Sequence, residues 1–116
     1  MGRSVEAEQI IRAMSALAQE HRLAAFRQLV QAGPAGMAAG ALAGALDIPP
    51  SSMSFHLAQL SHAGLVSQRR DGRSIIYAAD YPAMTALIAY LTDNCCAGAD
   101  CGAEPAPACG EPAQGR

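Results

Sequence analysis

Tryptophan is absent from this chain of 116 residues, phenylalanine occurs twice and tyrosine three times. With so little aromatic surface, and with alanine carrying much of the 51% apolar content, the core has to be small. Alanine favours helix but removes little surface from water, so a second copy covering further apolar area would add stability. The length suffices for one domain and not for two with separate cores. No run of about 18 apolar residues exists, which excludes a membrane-spanning helix. No basic segment leads into an apolar stretch near the N-terminus, so the expected location is the cytoplasm.

Cysteine is missing from the first 94 residues; Cys95, Cys96, Cys101 and Cys109 all fall in the last 22. In a reducing compartment that clustering points to metal or redox chemistry rather than a disulfide framework. Strong charge is missing too. The formal net charge of −2 at first speaks against a nucleic acid partner. Yet Arg69, Arg70 and Arg73 lie within five positions, and a phosphate surface feels only the face presented to it. No nucleophile–base pairing or phosphate-binding glycine loop is visible. Ser51, Ser52 and His56 sit on one short segment without an acidic partner, so an enzyme is not expected.

Periodicity then divides the chain. Ser4 can cap a first helix reaching about Ala18, with Glu6 and Glu8 in its first turn and Ile10, Met14, Leu17 and Ala18 at helical spacing. Glu20 opens a second helix with Leu23, Phe26 and Val30 on one face, ended by Gly33-Pro34. AGMAAG is expected as a loop, and a short third helix carries Leu42 and Leu46. Pro50 is preorganised to start a fourth helix whose buried stripe is Met53, Leu57 and Leu60, and Gly64 stops it in a left-handed conformation. LVSQRR and SIIYAA form two strand-like runs around Asp71-Gly72, a strong hairpin signal. Pro82 starts a fifth helix bearing Met84, Leu87, Ile88 and Leu91, which fades at Asp93-Asn94. The expected division is a domain over 1–94 and a cysteine-containing tail over 95–116 without periodicity.

The expected class is mainly α with a β-hairpin wing, in the order four helices, hairpin, fifth helix: a winged helix-turn-helix. In such a unit the second helix of the pair enters the major groove and the hairpin reaches the backbone or minor groove. Ser51, Ser52, Ser54, Phe55, His56 and Gln59 are the candidates on the outward side of that helix. Serine and glutamine exchange hydrogen bonds with base edges and phosphates, and Phe55 can pack on a thymine methyl. Arg69, Arg70 and Arg73 are candidate phosphate contacts from the wing, against the plainer reading of solvated hairpin charges.

AGALAGALDIPPSSMSFHLAQLSHAGLVSQRRDGRSIIYAA resembles the ArsR/SmtB family of winged-helix metalloregulators. The similarity rests on Leu42-Ala43, Leu46, Ser54, His56-Leu57, Leu60, Gly64-Leu65, Arg70, Gly72 and Arg73, with His21-Arg22-Leu23 echoing the start of the second helix. Pro49 and Pro50 depart from the family's polar cap, and Asp47 stands where glycine is usual, though aspartate tolerates left-handed geometry better than most residues. The resemblance implies a repressor binding double-stranded operator DNA as a homodimer joined through the first and last helices. The apolar stripes on those helices independently permit this. Two-fold symmetry implies half-sites about one helical turn apart.

The resemblance also frames the cysteines. Some arsenic sensors of the family carry Cys-x-Cys-x-x-Cys at the start of the helix-turn-helix, a region without cysteine here. Zinc sensors place histidine and carboxylate ligands along the last helix, which has no histidine here. NCCAGADC is similar to the tail site of arsenic-responsive members. Trivalent arsenic, or antimony, takes three soft thiolates in a pyramid, and Cys95, Cys96 and Cys101 would supply them. Arsenite, antimonite or a methylated arsenical would then act as inducer, without any organic cofactor. Cys109 lies beyond the stiff spacer Glu104-Pro105-Ala106-Pro107 and is an optional ligand. A four-thiolate zinc or cadmium site, a thiol-redox switch and a thiol metal-buffering protein stay open as alternatives.

Overall fold

The structure, a computed structural model, describes residues 5–98. In chain order these form α1 (Val5–Leu17), α2 (Glu20–Ala32), β1 (Met37–Ala38), α3 (Ala39–Leu46), α4 (Pro50–His62), β2 (Val66–Asp71), β3 (Ser74–Ala79) and α5 (Tyr81–Thr92). A 3-10 turn, Cys95–Gly98, follows α5 and continues past the boundary expected at 94. The expected cap Ser4 and the candidate ligands Cys101 and Cys109 lie outside the described residues. Among the described residues, no helix is long and apolar enough to cross a membrane.

The helix ends follow from local backbone chemistry. Gln19 accepts the amides of His21 and Arg22 at 2.9 and 3.0 Å and caps α2. Asp47 takes the left-handed conformation at the end of α3, with φ 56° and ψ 46°. The amide of Ile48 then donates to the Ala43 carbonyl at 3.0 Å, satisfying an orphan acceptor. Pro50 begins α4 at a position where an amide would have had no partner. The Asp80 carboxylate accepts from the Ala83 amide at 3.0 Å and caps α5.

AGMAAG, expected as a loop, contains the short strand β1, which pairs antiparallel with β3 through Met37–Tyr77 and Ala38–Ile76. The sheet order is therefore β1-β3-β2. Two residues are too few to carry an alternating pattern, so only the partner strand reveals this one. The hairpin closes one residue later than the Asp71-Gly72 signal suggested. Asp71 pairs with Ser74, leaving Gly72 and Arg73 as the loop. Gly72 alone takes a positive φ, 65°, as a Gly-X hairpin requires at its first central position.

Leu29, Leu42, Met53, Leu57, Leu60 and Leu65 are the largest fully buried side chains, so the core sits where α2, α3, α4 and the base of the wing meet. Each of these contributes on the order of 1.5–3 kcal/mol by leaving water. On α2 the buried residues are Ala25, Phe26 and Leu29; Leu23, expected inside, is exposed. The Tyr81 hydroxyl donates to the Val30 carbonyl at 3.0 Å and pins the start of α5 to α2. No residue of α5 is buried, although Ile88 and Leu91 are apolar.

Candidate nucleic-acid interface

Helices α3 and α4 flank the turn Asp47-Ile48-Pro49, and α4 packs on α1, α2, α3 and β2. Its inward face is Met53, Leu57 and Leu60, as the spacing predicts. Ser51, Ser52, Ser54, Phe55 and Gln59 are exposed; Phe55, at 58%, is a large apolar ring left in water. A helix anchored along one stripe and polar along the other can lie in a groove without disturbing its own core.

His56 is not on that outward side. It is 8% exposed, and Arg22 Nη1 donates to its Nδ1 at 3.3 Å. The His21 ring stands 5.5 Å away and the Phe55 ring 5.8 Å, both measured between centroids. Burial, then the Arg22 charge, then His21, lower the His56 pKa below its ordinary value. A signal for this placement was present in the sequence. Position 56 is three residues after Met53 and four before Leu60, within the arc of the buried stripe. Its partner Arg22 lies 34 residues away in the chain, and a contact over that span leaves no local trace.

The wing arginines differ among themselves. Arg69 donates from Nη2 to the Ala35 carbonyl at 3.1 Å, tying β2 to the turn before β1. Arg70 and Arg73 are exposed, and no hydrogen bond or ion pair engages them among the described residues. Val66 at the base of β2 is buried while the rest of the strand is exposed, so the basic tip projects from an anchored root.

At the other end, Asn94 and Ala97 both have positive φ, 59° and 53°, and the chain folds into the 3-10 turn that carries Cys95 and Cys96. Cys95 is exposed. Among the described residues no group of three or more metal-ligating side chains comes together.

A helix–turn–helix backed by an antiparallel wing defines a winged helix-turn-helix domain. A family described as helix-turn-helix domain matches residues 17–69. The HTH-type transcriptional regulator YgaV of Escherichia coli is 32% identical over 90 residues, covering 78% of this chain and 89% of that protein. The nodulation protein NolR of Rhizobium meliloti is 36% identical over 80 residues, 69% of this chain; the match spans 63% of the NolR length. Among solved structures, a homodimeric winged helix-turn-helix DNA-binding domain from Mycobacterium bovis, a possible ArsR-family transcriptional regulator, is 28% identical. It aligns with a TM-score of 0.62 over 80% of this chain and 90% of that one. The chain belongs to the ArsR family of winged helix-turn-helix transcriptional regulators.

Proposed function

We propose that this chain is a homodimeric repressor that binds operator DNA through α4 and the wing, and releases it when trivalent arsenic is bound by its tail thiols. The observation that carries the DNA-binding half is the division of α4. Met53, Leu57 and Leu60 are wholly buried, while Ser51, Ser52, Ser54, Phe55 and Gln59 face outward. Arg70 and Arg73 supply phosphate contacts from the wing tip, which position the protein without reading sequence. Dimerisation through α1 and α5 covers Ile11, Met14, Ile88 and Leu91, all exposed in the single chain.

The sensor half rests on donor chemistry. Thiolates are soft ligands that favour arsenic and antimony over hard cations. Cys95 and Cys96 are adjacent on the 3-10 turn, a backbone that does not alternate as a strand does. Cys101 completes the three donors, and Cys109 is not required. Because two residues separate the turn from the end of α5, gathering the thiolates would draw Cys101 toward a helix of the dimer face. The dimer would then hold its two α4 helices at a spacing the operator fits poorly.

The test is fluorescence anisotropy of the full chain, under reducing conditions, on a duplex selected from a random-sequence pool. Six phosphate contacts would weaken binding about a thousandfold between 50 and 200 mM salt. Saturating arsenite should lower affinity by about 5- to 150-fold. A thiol scavenger would bind arsenite yet show no salt-sensitive DNA binding. Parallel titrations with zinc, cadmium and a mild oxidant separate the other sensing chemistries, since only one should release the duplex.

A further inference from the structure

Arg22 joins three helices with one guanidinium. Its Nε donates to the Ala16 carbonyl in the last turn of α1 at 2.7 Å, and Nη1 donates to His56 Nδ1 in the middle of α4 at 3.3 Å. Its own amide, in the first turn of α2, donates to the capping Gln19 side chain at 3.0 Å. Arginine offers only donors and keeps its proton throughout the physiological range. The contact to α4 therefore exists only while Nδ1 of His56 is bare, in the neutral ring with its proton on Nε2. A second proton would set N–H against N–H and positive charge against positive charge in a partly dry pocket.

The surroundings offer that proton no compensation. The charged and titratable groups acting on His56 are Arg22 and His21, both from α2, and both oppose a positive ring. Glu20 lies 3.9 Å from His21, on its far nitrogen. Helix α3 has no ionisable side chain, and α1 has none after Arg12. The charges of β2, Arg69, Arg70 and Asp71, stand out on the wing, and His62 is the last residue of α4 itself.

We propose that Arg22 and neutral His56 form a positioning pair that sets the pose of α4 against the α1–α2 unit, so that DNA binding depends on His56 presenting a bare Nδ1. His56 acts here through helix placement and not by touching DNA. The proposal rests on the reading of α4 as the groove-entering helix. It adds that α1, half of the proposed dimer face, is linked to that helix by a hydrogen-bonded side chain as well as by direct packing.

The test has two arms, both with the full chain. In the first, nuclear magnetic resonance follows the His56 ring and the backbone amides of α4 from pH 8 to pH 5. The α4 amides should move at the His56 midpoint in the wild type. The amides of the first two turns of α4, remote from His62, should stay still in His56→Asn, whose side-chain oxygen stands where Nδ1 stood and does not titrate. Arg22→Met checks the pair from the other side: His56 still titrates, but only the amides next to its ring follow it and the rest of α4 does not. In the second arm, anisotropy on the pool-selected duplex compares pH 7.5 with pH 5.5. The wild type should lose at least about fivefold more affinity than His56→Asn, the lower end of ordinary coupling between sites. Coincident pH profiles for the two proteins overturn the proposal, as do α4 amides indifferent to the His56 titration. If no duplex is retained at any pH, the DNA-binding reading fails, and the amide titration alone decides whether the pair holds α4.

Discussion

The backbone amide of Leu65 donates to the carbonyl of Leu60 at 3.0 Å, closing α4 across Gly64, whose φ is +78°. Both leucines are buried, so one turn ends the helix and seats the first residue before the wing. A Cβ at Gly64 would meet nothing within 4 Å, so Gly64→Ala suffers only the left-handed backbone penalty, about 1–2 kcal/mol. Gly36 is also left-handed, but there a Cβ would overlap the Tyr77 carbonyl where β1 meets β3. Denaturant unfolding should therefore rank Gly36→Ala well below Gly64→Ala. Equal losses would show that the β1–β3 contact contributes little.

The wing arginines should separate in a salt titration. Arg70→Ala and Arg73→Ala should each reduce the slope of log affinity against log salt by about one phosphate's worth. Arg69 spends a donor on the Ala35 carbonyl. Arg69→Ala should change that slope less and instead reduce thermal stability by about 0.5 kcal/mol, the low end for a solvent-accessible hydrogen bond. Three identical slopes would return Arg69 to the phosphate-binding set.

These two cases show what was legible in the chain and what was not. Gly64, Asp47 and Pro50 act through their own backbones, and a residue that sets its own φ announces itself wherever it stands. The stripe Met53, Leu57, Leu60 and the hairpin around Gly72 were legible for the same reason, being periodic or local. His56, beside serine and phenylalanine, reads as part of a polar face, although its spacing from Met53 and Leu60 sets it at the edge of the buried stripe. Its contact with Arg22, 34 residues away, is what local sequence cannot bring near. β1 is strand only because Tyr77 and Ile76 lie beside it. The commitment of Arg69 to Ala35 is likewise a property of the assembled fold.

The apolar face of α5 yields a prediction about assembly. Ile88 and Leu91 are 45% and 58% exposed on a helix with no buried residue, and Ile11 and Met14 of α1 are about as open. Burying even a few such side chains against a second copy is worth several kcal/mol, at roughly 25 cal/mol per Å² of apolar surface. Ile88→Glu with Leu91→Glu should shift the chain from dimer to monomer in sedimentation equilibrium while leaving its helical circular dichroism unchanged. An unaltered dimer would place the interface elsewhere.

Stability should depend on pH through His56 with a definite sign. Its folded-state pKa lies below the ordinary value of 6.5, owing first to burial and then to Arg22 and His21. Between those two values the unfolded chain binds more protons, so stability rises with pH across that window. The contribution is complete above about 6.5 and is lost as the pH falls toward the folded-state value. Melting temperatures measured from pH 8 to pH 5 should fall more steeply for the wild type than for His56→Asn. Parallel curves would mean that the histidine is as easily protonated in the fold as out of it.

Serine substitutions can separate the tail cysteines, because serine keeps the size of the side chain and removes the soft donor. If Cys95, Cys96 and Cys101 together hold one trivalent arsenic, each single replacement leaves two thiolates and a site short of its pyramid. Arsenite should then fail to release the selected duplex from Cys95→Ser, Cys96→Ser or Cys101→Ser, while DNA affinity without arsenite stays at the wild-type level. Cys109→Ser should respond as the wild type does, since three sulfurs suffice for a pyramidal ion. Arsenite affinity should change little as the pH falls, because the three hydroxides of arsenous acid leave as water with the three thiol protons. Zinc or cadmium releases those protons to solution and should bind more weakly at lower pH. Loss of response in Cys109→Ser would instead indicate four donors and favour a tetrahedral zinc or cadmium centre. A triple Cys95, Cys96 and Cys101 to serine variant that still released DNA on arsenite would remove the tail from the mechanism altogether.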